Sequence, residues 1–292
     1  MPALFPLRKA LCIAILAMGV LLLQACSTVR LAYNQAPHLA YWQLNSYLNL
    51  SETQTERVRG ELGDLHQWHR DTMLPCHAEL LQKMQLQLPA LISPEQACRI
   101  YDDARTQFEK VLAQAEPGFV WLASQLSEAQ IRNLERKQAD SNADWKMEWL
   151  ELTPAKLREQ RYKKLLSRVE GFYGTLEDPQ KAVLRASIAQ SSFDPRLAYG
   201  ERVRRQKDLV QVLRSISADR GNTAQSRALL QAFVARMMAS PDPAYQRYAQ
   251  TLVDEGCEGF ARLHNAMTPG QRQRAAQSLK GYEQDFLKLA AR

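Results

Sequence analysis

The sequence is poor in the residues and patterns that shape β-structure. Its 292 residues include only 12 glycines and 13 prolines, and no Asn-Gly or Asp-Gly pair is present that would predict a β-hairpin. We also find no convincing run in which apolar and polar residues alternate, as they do in a half-buried strand. The apolar share of 46% is nevertheless enough for a sizeable core. A β-rich fold, a disordered chain and long flexible linkers are therefore not expected.

The sequence also lacks the motifs that carry common enzyme chemistry. It contains no Gly-x-Ser-x-Gly nucleophile elbow and no glycine-rich phosphate loop. The pair Ser191-Ser192 precedes Phe193-Asp194-Pro195, a pattern typical of a connection between helices. Without a sheet to hold a strained turn, the usual hydrolase geometry is not available. We therefore expect a protein that is not an enzyme.

Charge of one sign is only mildly in excess. The chain has 38 basic and 31 acidic residues, and two of the basic ones, Arg8 and Lys9, lie in a segment that we expect to be removed. The remainder has 36 basic against 31 acidic groups, a net charge of +5. Nucleic-acid binding requires a more concentrated basic face, so we expect no nucleic-acid partner.

The N-terminus has the pattern of a secretory leader. The basic pair Arg8-Lys9 precedes an uninterrupted apolar or small run, Ala10 to Leu23, of 14 residues. A membrane-spanning helix needs about 20 apolar residues, so this run is short for a permanent anchor and typical of a signal peptide.

The leader ends in Leu23-Gln24-Ala25-Cys26-Ser27, which resembles the lipobox of bacterial lipoproteins. The resemblance implies cleavage between Ala25 and Cys26 and a covalent lipid on the Cys26 thiol, with no other cofactor. Ser27 resembles the sorting pattern of lipoproteins sent to the outer membrane. The implied location is the cell envelope, lipid-anchored and facing the periplasm, with the membrane as one partner.

The rest of the chain has the apolar spacing of helices. One stripe predicts a helix from about Pro94 to Ala115, and others begin near Pro195, near Tyr245 and in the last twenty residues. We expect an all-α, elongated bundle of about eight to ten helices. The predicted organisation is a cleaved signal peptide (1–25), a lipidated aromatic segment (26–50) and a helical domain (51–292), with a weak division near 191–195.

A repeated start signal supports the helical interpretation. Four segments share an apolar residue, a hydroxyl, two spacers and a glutamine: Leu50–Gln54, Ile92–Gln96, Leu126–Gln130 and Met267–Gln271. The hydroxyl can accept from the amide three residues on, while the glutamine bonds back to the cap amide. The form also resembles the Leu-Thr-x-x-Gln motif of periplasmic helical chaperones, although a capping box alone explains it.

A second resemblance covers the start of the mature chain. The segment Cys26–Asn34, with Trp42, Leu50 and Trp68-His69-Arg70 after it, resembles an uncharacterised family of bacterial lipoproteins known only as a domain of unknown function. The resemblance implies lipoprotein character and helical content and no particular activity. Near the membrane, Tyr33, Tyr41, Trp42 and Tyr47 suit either the bilayer interface or packing on the body, and we favour packing.

The densest group of functional side chains lies around Trp68. His66 and His69 share one face of a predicted helix at a spacing that can chelate an ion, which makes them a weak metal candidate. Gln67 stands where a His-Glu-x-x-His zinc hydrolase needs glutamate. Packing against a neighbouring helix is the interpretation that we favour, and an interaction patch of His66, Trp68, His69 and Arg70 is a third one.

Two basic clusters lie on predicted helices, the first spanning residues 158–168 and the second 202–207. Acidic residues are interleaved with both, so solvated helix faces are the simplest interpretation. Binding to anionic lipid or a cell-wall polymer is the alternative.

Beyond Cys12 and Cys26 the chain has Cys76, Cys98 and Cys257, an odd number. A Cys76–Cys98 bond would have to bridge about 12 Å along a helix, more than the ~7 Å that a disulfide allows between Cα atoms. We therefore expect three free, mostly buried thiols, with a pair that involves Cys257 as the alternative. The overall expectation is a non-catalytic envelope lipoprotein that binds an unidentified protein as chaperone, adaptor or assembly factor. The alternatives are a metal-dependent hydrolase using His66 and His69, and an anionic-surface binder.

Overall fold

The computed structural model describes residues 29–291, and these residues form helices without a single strand. The all-α, elongated architecture predicted from the sequence is confirmed. Eleven α-helices follow a short helical stretch at 29–34, slightly more than expected: α1 (Ala36–Leu48), α2 (Glu52–Trp68), α3 (Leu74–Gln87), α4 (Pro94–Gln125), α5 (Glu128–Trp149), α6 (Pro154–Tyr173), α7 (Asp178–Gln190), α8 (Pro195–Ala218), α9 (Thr223–Met238), α10 (Pro243–Asn265) and α11 (Pro269–Ala290). A π-helical turn, His69–Met73, joins α2 to α3. The proposed cleavage and lipidation residues, Ala25 and Cys26, lie outside the described residues.

Helix starts follow the predicted caps. Each of the four repeated segments forms a complete capping box, in which hydroxyl and glutamine bond reciprocally to backbone amides at Ser51, Ser93, Ser127 and Thr268. A fifth capping box was not predicted, because its cap residue is Glu177 and the pattern requires a hydroxyl at that position. Capping matters here because the first amides of a helix have no partner within it.

Helix α4 is longer than predicted. The apolar stripe predicted an end near Ala115, and Pro117, which cannot bond to the carbonyl of Ala113, stands two residues further on. The helix instead continues to Gln125, since Val120, Leu122 and Ala123 are buried in a core that holds the last turns in place. Ala113 is exposed, so water can solvate its carbonyl.

The helices enclose two separate hydrophobic cores. The first core lies among α1, α2, α5, α8, α9 and the C-terminal half of α4, and the second among α3, α6, α7, α10 and α11. The chain passes between the cores five times: from α2 to α3, along α4, and between α5 and α6, α7 and α8, and α9 and α10. Residues 191–194 form one of these crossings. The two cores are therefore interleaved along the sequence.

Each core contains a reciprocal pair of capping glutamines. In the first core, the side-chain amide of Gln54 donates to the carbonyl of Gln125 at 2.9 Å, and Gln130 donates to the Gln54 side chain at 2.7 Å and to the carbonyl of Asn49 at 3.2 Å. We call this arrangement a glutamine clasp, because each side chain bonds to the residue just before the partner's capping segment.

The second core repeats the clasp in every contact. Gln180 donates to the carbonyl of Ala266 at 3.1 Å and to Gln271 at 2.6 Å, while Gln271 donates to the carbonyl of Thr175 at 3.1 Å. In both cores, the bonded carbonyl stands five residues before the partner glutamine. The clasp therefore joins two helix starts into one hydrogen-bonded unit and leaves few polar groups of the buried Gln54 and Gln180 unpaired.

The expectation of three free thiols is wrong for two of them, and the alternative, a pair that involves Cys257, is confirmed. Cys98 on α4 and Cys257 on α10 form a disulfide, with Cα atoms 5.4 Å apart. The two helices cross at this point, which a separation of 159 residues in the chain concealed. Cys76 is partly buried and is the free cysteine of the described residues.

We predict that Gln54→Ala destabilises the protein more than Gln96→Ala. Both substitutions remove the glutamine of a capping box, but Gln54 also makes the clasp, whose loss leaves buried carbonyl and amide groups unpaired. We expect an additional loss of about 2 kcal/mol in the free energy of unfolding for Gln54→Ala, measured by urea denaturation. Equal losses in the two variants would show that the clasp adds nothing to the cap.

Candidate functional site

The predicted patch around Trp68 is occupied in part by the protein's own N-terminal stretch. Tyr33 lies on this patch, with its ring centroid 4.5 Å from that of His66 and 5.8 Å from that of His69. The π-helical turn begins at His69 and widens the helix at the point where Tyr33 packs. Trp68 is half-buried on the preceding turn.

Tyr33 forms a hydrogen bond with each of the two histidines. Burial raises the pKa of Tyr33 to about 12 and lowers the pKa of His69 to about 4, so both groups are neutral at neutral pH. The Tyr33 hydroxyl oxygen lies 3.0 Å from Nδ1 of His69, and the two share a hydrogen bond. His66 Nε2 lies 3.1 Å from the backbone carbonyl of Tyr33, which can only accept, so this nitrogen carries a hydrogen.

Two further contacts hold the same stretch. Arg70 donates to the side-chain oxygen of Asn34 at 2.8 Å, and Arg30 pairs with Asp285 of α11 at 3.2 Å. The Asp285 side chain is only 3% exposed, so its charge needs this partner. We call this set of contacts between residues 30–34 and α2, the π-helical turn and α11 the N-terminal clamp. It attaches residues 30–34 to the body of the protein.

The histidines are not arranged as a metal centre in the described part of the chain. No group of three or more histidine, cysteine, aspartate or glutamate side chains there is placed to hold one ion. His77 completes the aromatic stack, with its ring centroid 5.3 Å from that of His69 and 6.3 Å from that of Phe286. Burial lowers the pKa of both His66 and His77.

The remaining aromatics of the N-terminal segment divide into two groups. Tyr41 and Tyr47 pack against the first core, and the Tyr41 hydroxyl lies 3.2 Å from that of Thr55. Trp42 points the other way and is 67% exposed. None of the described helices is apolar over a stretch long enough to cross a bilayer.

A second feature, an open apolar groove, lies between α4 and α10. It has a cavity volume of about 540 Å³ and is lined by Met84, Ala97, Ile100, Tyr101, Ala104, Leu252, Val253, Gly256, Cys257 and Phe260. The apolar α4 stripe that the sequence indicated forms one wall, and Cys257 of the disulfide is among the residues of the other wall. Tyr101 and, one turn beyond the groove, Phe108 are 45% and 50% exposed. We call this surface the α4–α10 groove.

The basic clusters are largely engaged within the protein. Arg204 and Arg205 both bind Glu201, at 2.7 and 2.8 Å, and Arg202 donates to Asn142 at 2.7 Å. In the other cluster, the guanidinium of Arg161 lies 4.7 Å from the centre of the Phe193 ring, and Lys164 pairs with Glu148. Much of the cationic charge is thus neutralised by neighbouring side chains.

Sequence reasoning missed several residues of these sites. Asp285 and Asn34 gave no signal, because each is significant only through a partner far away in the chain. Tyr33 stood out as an aromatic residue, but the sequence did not indicate that His66 and His69 would be its partners. The α4 wall was visible as an apolar stripe, whereas nothing indicated that its middle would remain uncovered.

One family model matches residues 46–235, well over half of the chain, and it is described as a family of unknown function, DUF6279. No curated protein and no solved structure matches the chain.

We predict that the stability of the protein falls between pH 6.5 and pH 4. The pKa of His69 is about 4 in the folded protein, below its ordinary value of 6.5, so the unfolded chain takes up the proton first. The neutral His69 ring makes its full contribution to the free energy of unfolding above pH 6.5, and this contribution is lost as the pH falls from 6.5 to 4. His69→Gln, which cannot take up the proton, should show a shallower decline in urea unfolding midpoints.

His38→Gln is the matched control, because His38 lies on the exposed face of α1 outside the clamp. It should retain the wild-type pH dependence. A His69→Gln curve parallel to that of the wild type would contradict the assignment of His69.

Proposed function

The chain belongs to the family of unknown function DUF6279, and we propose that its mature form is a lipid-anchored envelope protein with a non-catalytic, protein-binding role. The proposed anchor is a lipid on Cys26, and the proposed location is the periplasmic face of the outer membrane. The proposed binding surface is the α4–α10 groove.

The lipobox-like segment Leu23–Cys26 supports the proposed anchor and location. The Cys98–Cys257 disulfide agrees with it, because disulfides persist in oxidising compartments such as the periplasm and are rare in the cytoplasm. The N-terminal clamp agrees as well: Arg30 stands four residues after Cys26, so the body begins almost at the proposed lipid.

The protein-binding role depends on one observation, the uncovered apolar stripe of α4. Apolar side chains such as Tyr101 and Phe108 normally pack inside, and clustered exposed ones mark binding surfaces. The groove offers an apolar floor and an aromatic rim, which suits an apolar side chain or a short amphipathic segment of a partner. The chaperone-like motifs favour the same role only by resemblance, since four of the five capping glutamines are engaged in the clasps.

The alternatives have less support. His66 and His69 belong to no group of three or more possible metal ligands among the described residues. A binder of anionic lipid or cell-wall polymer would need the cations of α6 and α8, and several of these are paired with Glu148, Glu159 and Glu201. We therefore favour a protein partner.

The anchor predicts a specific behaviour of Cys26→Ala. Without the thiol there is no acceptor for the lipid, so the variant should fail to reach the mature wild-type size. Mass spectrometry of the wild-type N-terminal peptide should find the lipid on Cys26. Cys12→Ala is the matched control, because Cys12 lies in the leader and its loss should change nothing. Normal maturation of Cys26→Ala, or an unmodified Cys26 in the wild type, would contradict the anchor.

The groove predicts position-specific crosslinking in intact cells. A photoreactive residue in place of Tyr101 or Phe108 should give a discrete protein adduct, and Ala104→Asp, which puts a charge in the groove, should abolish it. Ala139→Asp on α5 is the control, since Ala139 is exposed like Ala104 but lies in a polar depression. Adducts no stronger than background at both positions, or adducts insensitive to Ala104→Asp, would overturn the proposal.

A further inference from the structure

The exposed face of the N-terminal segment has an unusual chemical character. Residues 31–50 contain no aspartate, glutamate, lysine or arginine, although charged residues make up 24% of the whole chain. Water-exposed helices usually carry charge on their outer face. Here that face presents Leu31, Leu39 and Trp42, which are 65%, 60% and 67% exposed.

These three side chains form one stripe. They lie 8 and 3 residues apart in a nearly continuous helix, in which the amide of Gln35 still bonds to the carbonyl of Leu31 at 3.1 Å. Helical spacing of this kind puts them on a common side. The opposite side is fixed to the body through Tyr33, Tyr41 and Tyr47, so the stripe must face away from the protein.

The stripe also begins very close to the proposed lipid. Leu31 is five residues from Cys26, and even a fully extended chain of that length spans only about 18 Å. The N-terminal clamp holds Arg30 and Tyr33 on the body, which leaves residues 27–29 as the connection. The exposed stripe therefore cannot move far from the surface in which the lipid is embedded.

We propose that the face formed by Leu31, Leu39 and Trp42 lies in the headgroup region of the bilayer that holds the lipid on Cys26, so that residues 29–48 rest flat on the membrane. This inference rests on the proposed anchor and adds an orientation to it. Tryptophan favours the boundary between headgroups and acyl chains, and an uncharged helix face with leucines enters the same region. The partner surface is the lipid itself.

The test measures quenching of tryptophan fluorescence by brominated phospholipids. Lipidated protein is reconstituted in vesicles of phosphatidylethanolamine and phosphatidylglycerol, with and without bromine on the acyl chains. The protein has five tryptophans, so Trp42→Phe isolates the contribution of Trp42. We expect quenching in the wild type, its loss in Trp42→Phe, and its retention in Trp149→Phe, because Trp149, the last residue of α5, packs against Phe193.

Leu39→Glu gives an independent check. Leu39 is exposed, so the fold should tolerate glutamate, and unchanged thermal unfolding would verify this. The charge should lift the face from the lipid and abolish the quenching of Trp42. Wild-type quenching that persists in Trp42→Phe, or that is unaffected by Leu39→Glu, would overturn the proposal.

A second arm separates this proposal from the anchor. The Cys26→Ser mature chain is held on the same vesicles by an N-terminal hexahistidine tag and a nickel-chelating lipid. Absence of lipid on Cys26 in the wild type would overturn the anchor, while quenching in the tethered chain would still support the contact between the face and the bilayer. Lipid on Cys26 without quenching of Trp42 would overturn only that contact. If Trp42 were instead shielded in a dimer, a second copy would occupy the face and the membrane contact would be wrong.

Discussion

The structure depends on the way in which paired helix starts satisfy one another. A helix N-terminus leaves backbone amides without partners, and burying it against another helix start would be costly unless each group is bonded. The glutamine clasps meet this requirement twice, with Gln54 and Gln130 in the first core and Gln180 and Gln271 in the second. Each clasp glutamine bonds at once to the backbone amide of its own cap residue and to the carbonyl that precedes the partner's capping segment. The buried position of Gln54 and Gln180 follows from that double role.

The sequence predicted well whatever is local. Capping boxes, apolar spacing and the helical class are encoded within a few residues of one another, and all were confirmed. The predicted end of α4 was wrong because the helix continues past the apolar stripe, through Pro117, to bury Val120 and Leu122 in the first core. Glu177 as a cap was missed because glutamate is uncommon there.

What depends on distant contacts could be predicted only in small part: a pair that involves Cys257 was an alternative, but the sequence did not identify Cys98 as its partner. The Cys98–Cys257 disulfide, the Arg30–Asp285 ion pair and the groove all join parts of the chain that are more than 140 residues apart. Periodicity identifies which face of a helix is apolar but not which helix covers it. For the same reason, the sequence offered His66 and His69 as a weak metal candidate but could not show that in the fold they bond to Tyr33.

The clamp gives the histidines and the aromatic segment a common role. Both rings pack against Tyr33 and bond to it, and burial in this contact lowers the pKa of His66 and His69. Removing the N-terminal stretch would expose these rings together with Asp285. The N-terminal stretch is thus part of the folded body.

The interleaving of the two cores also constrains the order in which the protein can fold as it is made. Helix α3 lies along α11, which is the last element of the chain, and the clasp partner of Gln180 is Gln271. Until those final residues emerge, α3 has no neighbour for most of its apolar face. Formation of the second core is therefore delayed until synthesis of the chain is almost complete.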